Sequence, residues 1–452
     1  MPIRSTRSQL AYTQLARVIA GVIWLMAWVC LISVPAIARP PEWPRFRGPG
    51  NNGVASNANP PLLWSETNNV RWRVLLPGRG RSSPVILGNQ IFLTTAIETG
   101  VVRTNINGDD MQTAKHVSLQ ALCLDRRTGK LLWQSTLFEG EAPPPVHWQN
   151  SWSTPTPTIE RGRLYCDFGT FGTVCLNPKN GKVIWKASLP VDHMVGPGSS
   201  PIIWKHLLLL VRDGVDTQYV AALDKRTGRT AWKTERPPLT GGNQLRKAFT
   251  TPLVIETGGR PQAVIPGAQW VVAYEPATGN ELWRVKHGQG FSFGTQPVTG
   301  HGLVYVGTGL FHPQIWAIRP DGQGDVTQSH VVWKSDQRAP DMSSPVLAGE
   351  AIYWVSDNGA AVCSDAKTGA MWWHKSIPGT YLASPICAAG RIYFFERSGK
   401  TTVFEADSQR QELAQNRLPG PVVATPAFVG PAIYLRTDGA LYCLEDSKAE
   451  IK

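Results

Sequence analysis

A ten-residue segment recurs along the chain and limits what it can fold into. It reads LDRRTGKLLW at 124–133, LNPKNGKVIW at 176–185, LDKRTGRTAW at 223–232, YEPATGNELW at 274–283 and SDAKTGAMWW at 364–373. Each copy predicts a β-hairpin. Asp or Asn accepts hydrogen bonds from the turn backbone, and glycine four residues later supplies the positive φ that closes the turn. The flanking residues are β-formers with partial alternation.

A second signal runs in step with the first. A Ser/Thr/Gln-Pro pair precedes an apolar run, with prolines at Pro84, Pro155, Pro201, Pro252, Pro297, Pro345, Pro385 and Pro426. Eight residues after the proline stands an aromatic in five copies: Phe92, Tyr305, Tyr353, Tyr393 and Tyr434. A unit is then an x-Pro strand, an aromatic-bearing strand, a third ending at Asp and a fourth ending at Trp. Four antiparallel strands in about 40 to 50 residues make a propeller blade. The chain is therefore expected to be all-β, an eight-bladed β-propeller over residues 62–446.

Three units depart from the rule. The fifth replaces the turn with Arg319-Pro320-Asp321-Gly322, and the seventh, around Asp407, lacks both glycine and tryptophan. The eighth, from Thr425 to Leu444, stops before its fourth strand. The segment Val70-Arg71-Trp72-Arg73-Val74 is expected to supply it and close the ring, leaving no open edge.

The repeat also assigns the commonest distinctive residues. Trp133, Trp185, Trp232, Trp283, Trp333 and Trp373 occupy one repeat position, with Trp72 on the closing strand, and are expected to pack between neighbouring blades. Cys123, Cys175, Cys363 and Cys443 share a third-strand position with Ala222, Ala273 and Ala317, a slot for small apolar groups. Equivalent positions in different blades lie too far apart to bridge. A Cys166–Cys175 disulfide within one unit stays open.

Residues 1–38 read as an export signal. Arg4, Arg7 and Arg17 precede an apolar stretch from Val18 to Val34, and Ala36-Ile37-Ala38 offers a small-x-small cleavage site. The alternative is an uncleaved membrane anchor over 18–34. Residues 39–61 form a leader and 447–452 a tail. Export places the protein in the periplasm or cell envelope, with membrane contact only through the N-terminal segment if it is uncleaved. Formal net charge is +12, but the basic residues are scattered singly among turns. A solvated surface follows, and a nucleic-acid partner is not expected. A monomer is expected.

The D-x-x-T-G-x-x-x-W hairpin with its Ser-Pro strand resembles the repeat of pyrroloquinoline-quinone (PQQ) enzymes, a repeat shared with the non-enzymatic propeller lipoprotein of outer-membrane β-barrel assembly. The resemblance covers residues 42–446 and includes the Glu42-Trp43-Pro44-Arg45-Phe46-Arg47-Gly48-Pro49 leader. It implies an eight-bladed ring. It does not imply catalysis: the adjacent Cys-Cys pair of methanol-oxidising relatives and the Cys-x-x-Cys-His of haem-bearing ones are both absent from the sequence. No motif carries over catalytic residues or calcium ligands.

No histidine pattern suggests a metal site. Gly48-Pro49-Gly50-Asn51-Asn52-Gly53 matches G-x-G-x-x-G without the strand and helix a phosphate site requires, and Asp321 to Asp325 reads as a turn. In a propeller, the loops leading into the first strands surround one mouth of the channel. The candidate face on those loops comprises His147, Trp148, Asn150, Trp152, His193, Asn243, Arg246, Lys247, Phe291, Arg338 and Asp341. Two functions follow: a non-catalytic binding or scaffold protein meeting an envelope protein or polymer, with no cofactor expected; or an oxidoreductase using PQQ with Ca²⁺.

Overall fold

A computed structural model describes residues 42–288, 294–310 and 312–446. Residues 1–38, expected to be an export signal, the expected tail 447–452 and Phe291 lie outside them. The described chain is a β-propeller-like, all-β assembly with two short 3-10 turns, Gly169–Phe171 and Asn243–Arg246, as its only helical elements. Eight sheets carry the four-strand antiparallel unit. Sheets 1 to 7 span 85–141, 158–187, 202–235, 253–286, 298–335, 346–376 and 386–417 in chain order. In sheet 8 the strands Ala427–Val429, Ala432–Arg436 and Ala440–Glu445 are joined by Val70–Leu75, which pairs antiparallel with Ala440–Glu445.

Burial explains why the inner strands do not alternate. In sheet 3, Leu207–Asp213 is buried throughout and Gln218–Asp224 nearly so, because neighbouring sheets cover both faces. The fourth strand, Thr230–Glu235, alternates exposed and half-buried residues. A bulge precedes each repeat tryptophan, so that the indole stands opposite the small residue: Cys123 opposite Trp133, Ala222 opposite Trp232, Cys443 opposite Trp72.

These tryptophans join consecutive sheets. The indole N–H groups of Trp133, Trp185, Trp232, Trp333 and Trp373 donate to the carbonyls of Pro178, Lys225, Pro276, Ala366 and Asp407 in the next sheet's turn, at 2.9 to 3.3 Å. Trp72 makes the same bond from sheet 8 to Arg126 of sheet 1, at 3.2 Å. Trp283 instead donates to Gln262, whose amide reaches the Pro320 carbonyl in the altered turn of unit five. The turn glycine completes the joint. A Cβ at Gly129, Gly181, Gly228, Gly279 or Gly369 would lie 2.5 to 2.7 Å from the preceding sheet's indole. Glycine is thus required both for its positive φ and for the ring that lies on it. Sheet 7 departs from the pattern on both sides. Its own turn has no glycine, although Trp373 of sheet 6 still donates to the Asp407 carbonyl there. Its outer strand, beside sheet 8 with its separately supplied fourth strand, has no tryptophan. Ala414 fills that position.

A second series of bonds links the x-Pro residues. The backbone N–H groups of Ser83, Thr156 and Ser200 donate to the hydroxyls of Thr156, Ser200 and Thr251, and those of Gln296, Ser344 and Ser384 to the hydroxyls of Ser344, Ser384 and Thr425. The Gln296 side chain bridges sheets 5 and 4 through the Pro252 carbonyl. Arg436 ties sheet 8 to the Ser82 and Thr94 carbonyls of sheet 1. This series corrects one reading of the sequence: the x-Pro position of unit two is Thr156-Pro157, not Pro155, because it is the Thr156 hydroxyl that receives the neighbouring N–H.

The cysteine question also closes. All six described cysteines are free and buried. Cys166 faces Val174 across the ladder and Cys175 faces Tyr165. As next-register neighbours they point to opposite faces of sheet 2, one into the core shared with sheet 1 and the other into that shared with sheet 3.

Candidate functional site: a central cavity floored by the leader

The leader is part of the fold, so the boundary drawn at residue 61 separates segments that pack together. Glu42–Trp43 adds to the free edge of Val85–Leu87 in sheet 1, and Val54–Ala55 pairs parallel with Ile386–Ala388 in sheet 7. Between them the Pro44 carbonyl accepts from Ile159 of sheet 2, and the buried Arg47 donates to the Pro345 carbonyl at sheet 6, 2.6 Å away. Asn59 N–H reaches Gly430 of sheet 8. The leader therefore crosses the edges of the first strands of sheets 1, 2, 7 and 8 just beyond the x-Pro residues and touches the x-Pro residue of sheet 6. Its G-x-G-x-x-G glycines serve this packing: a Cβ at Gly48 would meet the Trp43 indole at 2.8 Å, and one at Gly53 the Arg47 guanidinium at 2.5 Å.

On the other side of the x-Pro residues lies a cavity of about 550 Å³, with Phe46 of the leader in its lining. Residues preceding the first strand of every sheet line it, including Ser83, Thr156, Ser200, Thr251, Ser384 and Thr425. The hydroxyls in this lining that receive a neighbour's N–H have one acceptor function already used.

Of the candidate face, four residues line this cavity: His147, Asn150, Lys247 and Asp341. His147 sits in the strand Val146–His147, which pairs with Asp109–Thr113 of a hairpin inserted in sheet 1. Burial pushes its imidazole below the usual range, against the pull of Asp109 and Asp110. Asn150 donates to the carbonyls of Val195 and Pro197, holding the approaches to sheets 2 and 3 together. Lys247 is buried, and burial lowers its pKa while Asp109 and Asp192 oppose the shift.

The other candidates are placed elsewhere. Trp148 lies between the Arg103 and Arg397 guanidinium groups, 4.2 and 4.6 Å from its ring. Trp152 does not belong to a surface face: it is 2% exposed in the core between sheets 1 and 2, with its indole N–H on the Pro144 carbonyl. His193 is likewise interior, 4% exposed, with its ring near Phe249 and against Gly169. Aromatic and imidazole rings in these loops are apolar enough to fold inward, which composition does not reveal. Asn243 is exposed on the second 3-10 turn and Arg246 groups with Asp213, Arg236 and Trp270, neither of them in the cavity lining. Arg338 is exposed and turns a corner at φ 55°, where its carbonyl accepts from the Trp354 indole.

Residues not read from the sequence complete the lining. Asp357, between the second and third strands of sheet 6, accepts from the backbone N–H groups of Asp341 and Met342 at 3.0 and 3.3 Å. Burial, then the Asp341 carboxylate, pushes its pKa up to about 6. Arg81 is ion-paired with Asp438. Asp109 arrives on the inserted hairpin. Topology was the available signal, since second-to-third-strand turns open on the same mouth as the x-Pro loops.

A PQQ–Ca²⁺ pair finds a poor match here. Among the described residues no three His, Cys, Asp or Glu side chains converge as metal ligands. PQQ carries three carboxylates, whereas the lining cations Arg81 and Lys247 already face Asp438 and the Asp109/Asp192 carboxylates.

Comparison with known proteins fits this architecture. The chain is 23% identical over 344 residues to tetrathionate hydrolase of Acidithiobacillus ferrooxidans, covering 64% of this chain and 65% of that protein. Among solved structures, BamB from Moraxella catarrhalis superposes with a TM-score of 0.53 at 15% identity, over 78% of this chain and 100% of that one. A europium-containing methanol dehydrogenase superposes with a TM-score of 0.62 at 12% identity, over 89% and 91%. At such identities the likeness is one of fold. A family model described as outer membrane protein assembly factor BamB matches residues 119–264, 267–323 and 323–447, well over half of the sequence. The protein therefore belongs to this family of PQQ-repeat β-propellers.

Proposed function

We propose that this protein is an exported, non-catalytic binding protein of the cell envelope: an eight-bladed ring, closed by Val70–Leu75, that receives its ligand or partner at the mouth opposite the leader. The Trp72 joint from sheet 8 to sheet 1 supports closure, because it repeats the chemistry of the other joints. The observation that carries the functional reading is the leader itself. It occupies the first-strand edges and leaves a largely apolar cavity, set with a few polar and charged side chains, open toward the x-Pro loops, the arrangement of a receptor site. The partner class is an envelope protein or polymer, met by a monomer in the periplasm or envelope.

The oxidoreductase reading rests on repeat resemblance, and the donor set supports it less well. Two measurements separate the readings. Capture from envelope extracts with the wild type and with His147→Ala/Trp148→Ala should recover a component that the variant loses. Titration with PQQ and Ca²⁺, followed by tryptophan fluorescence, should show no saturable change up to about 100 μM, where binding is worth about 5.5 kcal/mol. Identical recovery by both proteins, or saturable PQQ binding, would overturn the proposal.

A further inference from the structure

The charges lining the cavity do not balance. Arg81 is answered by Asp438, and Lys247 by Asp109 and Asp192. Asp341 and Asp357 have no basic side chain beside them among the described residues. Asp341 Oδ1 is shielded from solvent and has no hydrogen-bond donor among the described residues. Asp357 spends acceptor capacity on two backbone N–H groups and keeps the rest. An unanswered pair of carboxylates in a partly enclosed cavity is costly unless a cation or a set of donors fills the site.

The remaining lining identifies the kind of cation. Phe46, Leu245, Phe249, Leu382 and Val423 are apolar, with hydroxyls between them. Two carboxylates fall short of the six to eight oxygens calcium takes, and no third His, Cys, Asp or Glu side chain joins them among the described residues. An ammonium group, by contrast, is satisfied by two or three acceptors and can carry an apolar body. We infer that the cavity binds an organic ammonium compound, with the charged nitrogen between Asp341 and Asp357 and its apolar body toward Phe46 and Phe249. This rests on the reading of the cavity as the binding site and names its ligand class.

The test uses the full chain and four probes by isothermal titration calorimetry at pH 7.5: benzylamine, its neutral isostere benzyl alcohol, benzoate and calcium chloride. Benzylamine is expected to bind at least tenfold more tightly than benzyl alcohol or benzoate. Asp357→Asn and Asp341→Asn should each cut that preference to below about threefold while leaving benzyl alcohol unaffected. The preference should also shrink below about pH 6, as Asp357 takes up a proton. Because Asn keeps one acceptor for the backbone N–H groups, D357N should melt close to the wild type, and D341N gives an independent reading. Equal binding of benzylamine and benzyl alcohol keeps the site but overturns the ligand class. Calcium binding tighter than benzylamine, and lost in D357N, assigns the pair to a metal and overturns it too. If no probe binds up to about 10 mM, the ammonium assignment falls, and the capture experiment alone judges the wider proposal.

Discussion

The joint between Trp72 and Gly129 offers a direct test of ring closure. Trp72→Ala removes an indole that lies on Gly129, packs 6.0 Å from the Tyr434 ring and donates to the Arg126 carbonyl. The half-buried position puts the cost near the lower end for Trp→Ala, about 3 kcal/mol. Gly129→Ala incurs two penalties. Its φ of 72° costs an alanine about 1 to 2 kcal/mol. The added methyl would also lie 2.7 Å from the indole, and that overlap costs about 1 to 3 kcal/mol more. In a Trp72→Ala background the overlap vanishes and only the backbone strain remains. The double variant should therefore be more stable than the sum of single effects by the lost overlap, about 1 to 3 kcal/mol, within the range found for contacting residues. Urea denaturation of the four proteins measures this coupling, with the Trp133/Gly181 pair as an internal reference from a joint between sheets adjacent in sequence. A coupling below about 0.5 kcal/mol at Trp72/Gly129, beside a clear one at Trp133/Gly181, would refute closure by the Trp72 strand.

Three further outcomes are expected. Asp167→Ala strands Arg212, whose side chain is 1% exposed and pairs with that carboxylate at 2.6 Å between sheets 2 and 3; it should cost about 3 to 5 kcal/mol, and Asp167→Leu/Arg212→Met distinctly less, by urea denaturation. His193 is held to about 3 by burial and by Arg212, so the unfolded chain binds its proton below pH 6.5 while the folded one stays neutral. Stability should accordingly fall as pH drops, by about 2 kcal/mol between pH 8 and pH 5 from this group, and His193→Leu should lose that part of the slope; an unchanged slope would show that the imidazole is accessible. Dithiothreitol should leave the melting temperature unaltered, because Cys166 and Cys175 point to opposite faces; a drop of several degrees would mean a bridge forms.

Most of the fold was legible because it repeats. Each D-x-x-T-G-x-x-x-W copy encodes a hairpin and its neighbour's joint in adjacent residues, and local turn chemistry and β-propensity need no distant information. The exceptions were visible but not explained: the missing glycine and tryptophan near Asp407 are plain in the sequence, whereas the bond that Trp373 still makes to that turn belongs to the tertiary structure. Register was less secure. Thr154-Pro155 and Thr156-Pro157 are equivalent as sequence, and the choice between them rests on a hydroxyl that reaches another sheet.

The site was legible only in outline. Topology indicated which loops share a mouth, and His147, Asn150, Lys247 and Asp341 do meet there. Which loop side chains turn inward depends on the room between sheets, so Trp152 and His193 could not be separated from true lining residues by composition. Asp357, Arg81 and Asp109 come from a turn, a linker and an inserted hairpin, and only the assembled sheets set them around one space. The leader makes the same point. Its Trp-Pro and glycine pattern is plain in sequence, yet its place across the edges of the first strands exists only once distant blades present those edges together. Repetition let the sequence determine the blade and its joints, whereas tertiary structure decided the floor, the unanswered carboxylates and hence the chemistry of the cavity.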